Sequence, residues 1–245
     1  SSTGKLKMYA ALGSWSTGGT LNTIKGAGTG GGTAVVGTQT SAINAYGQTT
    51  PPSALTANAE TYDGSSWTEV ANTNTVRAGL GAAGASSASG IFFGGYDPAG
   101  TNRSPLVESW DNSSWTEVGD LNTGRNGTSG CGIQAAALCA GGFVSDVVAN
   151  VETWNGTSWT EVGDLNTARH NLASFGLSTA AIATGGAGPG ATTESWDNSS
   201  WTEVGDLNTA RVNIDGGGIQ TAGLVFGGNP PGTPSLLGVT ESWDG

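Results

Sequence analysis

One ten-residue segment dominates the sequence. SWTEVGDLNT occurs three times without change, and two related copies are SWTEVANTNT and SWSTGGTLNT. The five copies begin at Ser14, Ser66, Ser114, Ser158 and Ser200. A second motif, of the form ESWDNS, begins at Glu60, Glu108, Glu152, Glu194 and Glu241. Successive glutamates of this motif lie 42–48 residues apart, close to the roughly 40–50 residues of one propeller blade.

Each repeat unit contains four short segments with strand character. Strand a follows the Arg of NTxR, strand b is an apolar run ending in Gly-Gly, strand c is VESW or TESW, and strand d is WTEV. Asp-Gly, Asp-Asn or Asn-Gly stands between strands c and d, and these pairs favour hairpin turns. No segment shows helical periodicity. We therefore predict an all-β, five-bladed β-propeller with four-stranded antiparallel blades. In the first unit, Val35-Val36-Gly37-Thr38 lacks the paired glycine expected after strand b.

The two ends of the sequence predict how the propeller closes. The chain stops at ESWDG, directly after strand c, and it begins with a lone strand d at Trp15. We predict that the N-terminal strand d pairs with the C-terminal strands a–c to complete one blade, which removes exposed sheet edges. Residues 14–245 then form a single domain, and residues 1–13 form a leader or tether. All nine Trp lie in the two repeated motifs, so we expect them to pack the blades rather than bind a ligand.

The repeat pattern also resembles a known family. The Gly-Gly after strand b, the aromatic residue of strand c, the Trp of strand d and the following Arg resemble the kelch repeat over nearly the whole chain. The near-identical units are also similar to kelch-like repeat proteins encoded by marine bacteriophages. Kelch-type propellers include the copper enzyme galactose oxidase, but the single His of this chain, His170, cannot supply a copper site built largely from imidazoles. We therefore expect a protein that is not an enzyme and needs no cofactor or metal.

The basic residues that start strand a alternate with the glutamates that start strand c. Strands a and c run in the same direction, so both sets lie at one end of each blade, about 10 Å apart. We predict a structural ring of ion pairs, bidentate where the cation is Arg. The basic members are Lys25, Arg77, Arg125, Arg169 and Arg211, and the acidic members are Glu60, Glu108, Glu152, Glu194 and Glu241.

Two smaller sets of residues leave alternatives open. Asp120, Asp164 and Asp206 recur after strand d, where they either are solvated and cap turns or contribute to a Ca²⁺ site. Cys131 and Cys139 flank a predicted a–b turn, where they are either free buried thiols or a cross-strand disulfide.

The connections between strands b and c vary most from unit to unit. They run over 38–59, 96–107, 143–151, 187–193 and 229–239. An antiparallel meander places all of them on one face, and loops on a rigid scaffold commonly carry recognition. Drift in unconstrained loops is the alternative explanation. The binding candidates on this face are Tyr96, Asp97, Asn102, Arg103, Phe143, Asp146 and Asn229.

Charge and resemblance together suggest a function. The net charge of −11 disfavours nucleic acid as a partner, and no apolar run approaches the roughly 20 residues needed for membrane insertion. We expect an extracellular, virion-associated structural or receptor-binding module of a phage tail fibre, spike or capsid surface. Its expected partners are other virion proteins, copies of itself, and a host surface glycan or protein. The alternative is a secreted bacterial carbohydrate-binding lectin or adhesin.

Overall fold

A computed structural model describes residues 19–26, 34–49 and 54–245. These residues form strands and loops and contain no helix. In chain order the strands are β1 (Lys25–Gly26), β2 (Ala34–Thr38), β3 (Ser41–Ala45), β4 (Gln48–Thr49), β5 (Ala54–Leu55), β6 (Ala59–Tyr62), β7 (Trp67–Val70), β8 (Gly81–Ser86), β9 (Ser89–Phe93), β10 (Val107–Trp110), β11 (Trp115–Glu117), β12 (Ser129–Ile133), β13 (Ala136–Phe143), β14 (Val147–Trp154), β15 (Trp159–Glu161), β16 (Ala173–Leu177), β17 (Ala180–Thr184), β18 (Thr193–Trp196), β19 (Trp201–Glu203), β20 (Asp215–Ile219), β21 (Ala222–Phe226) and β22 (Thr240–Trp243).

The strands form five antiparallel blades, which confirms the prediction of an all-β, five-bladed propeller. Blades 1 to 4 have the orders β2-β3-β6-β7, β8-β9-β10-β11, β12-β13-β14-β15 and β16-β17-β18-β19. Blade 5 contains β20-β21-β22, and the predicted closing strand at Trp15 lies outside the described residues. The first strand of every blade lines a central channel of about 370 Å³. Strands β1, β4 and β5 form a separate small sheet, whose strands β4 and β5 lie in the chain between β3 and β6 of blade 1.

The turns between strands c and d explain why this part of the repeat is so uniform. In blade 2, Asp111 Oδ1 accepts hydrogen bonds from the backbone N–H groups of Ser113 and Ser114, at 2.9 and 2.8 Å. The Ser114 N–H and the Ser113 hydroxyl lower the pKa of Asp111 to about 2. Asn112 adopts a φ of 76°, a conformation that Asn tolerates better than most residues. The motif is therefore a hairpin turn that is capped by its own Asp side chain, and this carboxylate binds groups within the turn.

Tryptophans from strands c and d pack together inside blades 2 to 4. Trp110 and Trp115 lie 5.2 Å apart between ring centroids, and the corresponding pair in blade 4, Trp196 and Trp201, lies 5.3 Å apart. Trp201 Nε1 also donates to the carbonyl of Gly163 at 3.0 Å, and that carbonyl follows strand d of the preceding blade. The strand d tryptophans therefore join neighbouring blades as well as filling them.

Blade 1 departs from the predicted strand positions. The segment Val35–Thr38 belongs to β2, which is strand a, whereas strand b is β3, directly after it. Tyr46-Gly47 replaces Gly-Gly after β3, and Tyr46 takes a positive φ of 61°. The interval 38–59 is therefore not a single b–c connection, because it contains all of β3. Without Gly-Gly, the sequence offered no marker for the end of strand b.

The third b–c connection is also shorter than predicted. Most of 143–151 is strand, because β13 and β14 continue to a tight turn in which the Val144 N–H donates to the carbonyl of Asp146 at 3.0 Å. Cys131 and Cys139, in the same blade, are both buried free thiols. Their strand partners are Leu138 and Gly130 respectively, so the two cysteines are not directly opposed across the hairpin.

Candidate functional site

A buried ion pair ties the entry of strand a to strand c in blades 2 to 5. The pairs Arg77–Glu108, Arg125–Glu152, Arg169–Glu194 and Arg211–Glu241 have N–O distances of 3.1, 2.5, 2.8 and 2.8 Å. All four arginines are at most 2% exposed. The structure thus places four of the five predicted cations against their predicted carboxylates.

The geometry of these pairs is not bidentate, so that part of the prediction was wrong. Arg169 reaches Glu194 Oε1 through Nη2, while its Nη1 donates to the carbonyls of Gly185 and Thr192. The guanidinium is shared between one carboxylate oxygen and the ends of strands b and c. Because burial leaves those carbonyls without water, they compete successfully for the Arg donors.

The second carboxylate oxygen binds an asparagine that the sequence analysis did not single out. In every blade, the backbone N–H of the Asn in Leu-Asn-Thr, or in the Thr-Asn-Thr variant, donates to Glu Oε2 at 2.7–2.8 Å. The pairs are Asn22–Glu60, Asn74–Glu108, Asn122–Glu152, Asn166–Glu194 and Asn208–Glu241. Asn74, Asn122, Asn166 and Asn208 each follow strand d of one blade and bind the next blade, so the Glu is the point where two blades are joined. The constancy of this Asn across the repeats was the available signal.

Neutral donors as well as the cation stabilise the Glu108 carboxylate. Burial alone would raise the pKa of Glu108, but hydrogen bonds from the Thr75 hydroxyl and the Asn74 N–H, together with the charge of Arg77, lower it below its ordinary value. The ionised form of Glu108 is therefore favoured inside the protein.

Blade 1 uses Lys25 differently from the arginines. Its Nζ donates to Asn44 Oδ1 at 3.2 Å and to the carbonyl of Asn58 at 2.8 Å, and it forms no ion pair within 4.0 Å in the described part of the chain. Burial lowers the pKa of Lys25 to about 8, against the opposing influence of the nearby Glu60 charge. The predicted fifth ion pair is thus replaced by a hydrogen bond to Asn44, which stands at a position where the other blades have apolar residues.

Three backbone hydrogen bonds link blades 2 to 5 beside the channel mouth, next to the starts of strand a. The Gly127 N–H donates to Gly79 O, the Asn171 N–H to Gly127 O, and the Asn213 N–H to Asn171 O, at 2.8, 2.8 and 3.0 Å. All four residues have positive φ angles of 54–69°. Each bond joins one blade to the next, so left-handed residues hold the blades together at the mouth.

Replacing Gly127 by Ala should lower the free energy of unfolding by at least about 1–2 kcal/mol, the cost of a left-handed L-residue. The added Cβ would also lie 2.6 Å from Asn171 Oδ1. Gly217→Ala is the control, because a Cβ there meets no atom within 4 Å. Urea titration measures both variants. If the two variants unfold with the same free energy, the left-handed residues at the channel mouth do not hold the blades together.

Three of the predicted binding residues come together on the loop face. Tyr96 and Arg103 are cross-strand partners in the blade 2 loop, and the Arg103 guanidinium carbon lies 5.2 Å from the ring centre of Phe143 in blade 3. Phe143 in turn lies 5.7 Å from the ring of His170 in blade 4. These four residues form the loop-face row, which runs across three blades beside the channel mouth. All four are partly exposed.

The other predicted binding residues do not join this row. Asp97 accepts a hydrogen bond from Asn102 Nδ2 at 2.6 Å and so shapes its own loop. Asp146 caps the N–H of Val147 at 2.8 Å. Asn229 Nδ2 donates to the carbonyl of Thr233 at 2.6 Å. Their local hydrogen bonds explain their presence in turns, since Asx side chains cap loops of this kind.

His170 is the member of the row that was not among the predicted binding candidates. It immediately follows Arg169 and pairs with Ala187, whereas Asn126 stands at the same position in blade 3 and pairs with Phe143. The residue after the blade-start Arg and the residue after Gly-Gly are thus neighbours in blades 2 to 5. The positions of Arg and Gly-Gly in the repeat predict this pairing, and the pairing places His170 at the mouth of the channel.

The described residues were compared with the requirements of a metal site and of a membrane-spanning helix. No group of three or more His, Cys, Asp or Glu in ranges 19–26, 34–49 and 54–245 is arranged to hold a metal ion. Asp206 accepts the Thr193 N–H at 3.1 Å, while Asp120 and Asp164 are exposed. Within the same ranges, no helix has the length and apolar character needed to span a bilayer.

Comparison of the sequence with protein-family models gives no match, and comparison with curated proteins gives none either.

Proposed function

We propose that this chain is a non-enzymatic receptor-binding module that recognises a host surface glycan through its loop face. The loop-face row carries this proposal. Tyr96, Phe143 and His170 present partly exposed rings, and Arg103 adds a cation beside them. Aromatic rings combined with polar tips suit partners that have both apolar and hydrogen-bonding surfaces, and sugars are such partners.

The scaffold beneath the row supports this role. The Arg–Glu pairs and the left-handed residues at the channel mouth fix the strand ends from which the b–c loops leave. A rigid frame with loops of different length and content is an arrangement in which recognition can change without refolding. Because the buried Arg and Glu side chains bind one another, they are not available as catalytic groups.

Glycan-array binding of the wild type and of Phe143→Ala tests this proposal. Phe143→Ala should weaken binding at least tenfold, because it removes the ring on which Arg103 and His170 rest. The matched control is Leu177→Ala, an equally apolar truncation at a residue that is 55% exposed at the opposite end of strand a. Equal binding by both variants would exclude the loop-face row, and an array without any bound glycan would contradict glycan recognition. Binding to cells that is lost after protease treatment would instead indicate a protein receptor.

We further propose that the module belongs to a phage virion, in a tail fibre, spike or capsid surface. The kelch-like pattern and the phage-like uniformity of the repeats support this assignment, and the virion would bring the module together with other virion proteins and with copies of itself. Mass spectrometry of purified particles should find the chain. Its absence from particles, with recovery from bacterial culture medium, would favour the secreted lectin or adhesin.

A further inference from the structure

Arg103 differs from the other described basic residues. Lys25 and the four paired arginines stand at blade starts, where they bind buried acceptors. Arg103 alone among the cations of the described ranges lies in a b–c loop, and it forms no ion pair with a described carboxylate. Lys25 also lacks an ion pair in the described part of the chain, but its Nζ donates to Asn44 Oδ1 and to the Asn58 carbonyl.

Neutral groups hold the Arg103 side chain in place. Its Nη1 donates to the carbonyl of Gly100 at 3.1 Å, and its guanidinium lies over the Phe143 ring. Its Nε is buried without a hydrogen-bond partner among the described residues, and its Nη2 forms no hydrogen bond to any of those residues. The edge of the guanidinium that carries Nε and Nη2 is the edge that binds a carboxylate with two parallel hydrogen bonds.

Two further polar atoms beside Phe143 also lack partners. Asn126 Oδ1 and His170 Nδ1 are buried and form no hydrogen bond within the described part of the chain. Asn126 is the backbone partner of Phe143, and His170 packs on its ring. Buried polar atoms are rarely left unpaired in folded proteins, so three of them around one ring indicate a place for an external polar group.

We propose that the loop-face row and Asn126 form a subsite for a sugar that carries one carboxylate, of the uronic or sialic acid class. The carboxylate binds Arg103, and ring hydroxyl groups bind Asn126 and His170. The neutral acceptors favour hydroxyl groups over a second acid, and the net charge of −11 disfavours polyanions. This inference rests on the proposed glycan recognition and specifies its ligand.

Matched ligands test the charge directly. Methyl glucuronide is titrated against its own methyl ester, and sialyllactose against lactose, with wild-type protein and heteronuclear NMR detection. The acids should bind at least tenfold more tightly than their neutral counterparts, and Arg103→Gln should abolish that difference while leaving the melting temperature unchanged. Phe143→Leu, which keeps an apolar side chain, should weaken both acids.

The outcomes separate this inference from the proposed function. Equal binding of acid and ester would overturn the acidic subsite while glycan recognition stands. Binding of a Glu-rich peptide through Arg103, without binding of either acidic sugar, would overturn the sugar class. If no glycan binds to the array or in solution, the proposed function fails, and this inference fails with it.

Discussion

Replacing Arg169 by Ala should lower the melting temperature by about 6–20 °C. Arg169 is fully buried and binds the carbonyls of Gly185 and Thr192 as well as Glu194. Its removal leaves Glu194 as a buried charge with only Asn166 as a strong donor. Loss of one partner of a buried ion pair costs about 3–5 kcal/mol, and each kcal/mol shifts the melting temperature of a chain of this size by about 2–4 °C.

Two controls make the result specific. Arg103→Ala removes the same side chain from a partly exposed loop position and should leave the melting temperature nearly unchanged. Glu203→Gln alters the exposed strand partner of Glu194 and should also be neutral. Calorimetry measures all three variants. An Arg169→Ala protein that melts with the wild type would show that the buried pairs do not hold the blades.

Replacing Trp15 by Ala should destabilise the protein as much as replacing Trp201 does. Trp201 packs on Trp196 and donates to the Gly163 carbonyl. In blade 5, a cleft lined by Gly205, Leu207 and Trp243 lies at the corresponding position. We expect Trp15 to occupy it, and truncation of a buried Trp costs about 3–5 kcal/mol.

Blade 5 carries several exposed apolar side chains in the described part of the chain, among them Ile219, Leu224 and Phe226. Phe226 corresponds to Phe93, which packs 4.9 Å from Trp159 of the next blade, yet Phe226 is 45% exposed. Tyr9→Ala, in the segment expected to act as a leader or tether, is the control and should be neutral. If Trp15→Ala melts with the wild type while Trp201→Ala does not, the N-terminal segment is not the closing strand.

The repeat period predicted most of the fold because each blade is a local meander. Recurring turn residues follow strand c, so the strand c elements begin and end where the motif predicts. These elements are β10, β14, β18 and β22. Blade 1 could not be placed as well, since Tyr46 takes a left-handed conformation usually given to Gly. Tertiary packing makes Tyr tolerable at this position, so the local sequence does not mark the end of strand b in blade 1.

The site was predicted in parts. Arg103 and Phe143 were named as separate loop residues, but their contact, and that of Phe143 with His170, joins three blades. Loop length alone could not show that Asp97, Asp146 and Asn229 are used within their own loops. Side-chain reach across blades depends on where neighbouring sheets are placed around the axis.

The sequence by itself determined the period, the strand order and the identity of the Arg and Glu at each blade entry, because these depend on short-range spacing and turn chemistry. Only the tertiary structure decided how the charges are shared. It gave one oxygen of each Glu to the Asn of the preceding blade, gave most Arg donors to backbone carbonyls, and left Arg103 without a carboxylate. Residues roughly one repeat apart meet only when the blades are assembled around a common channel, and this assembly buries the four paired arginines while the loop-face row stays partly exposed at the channel mouth.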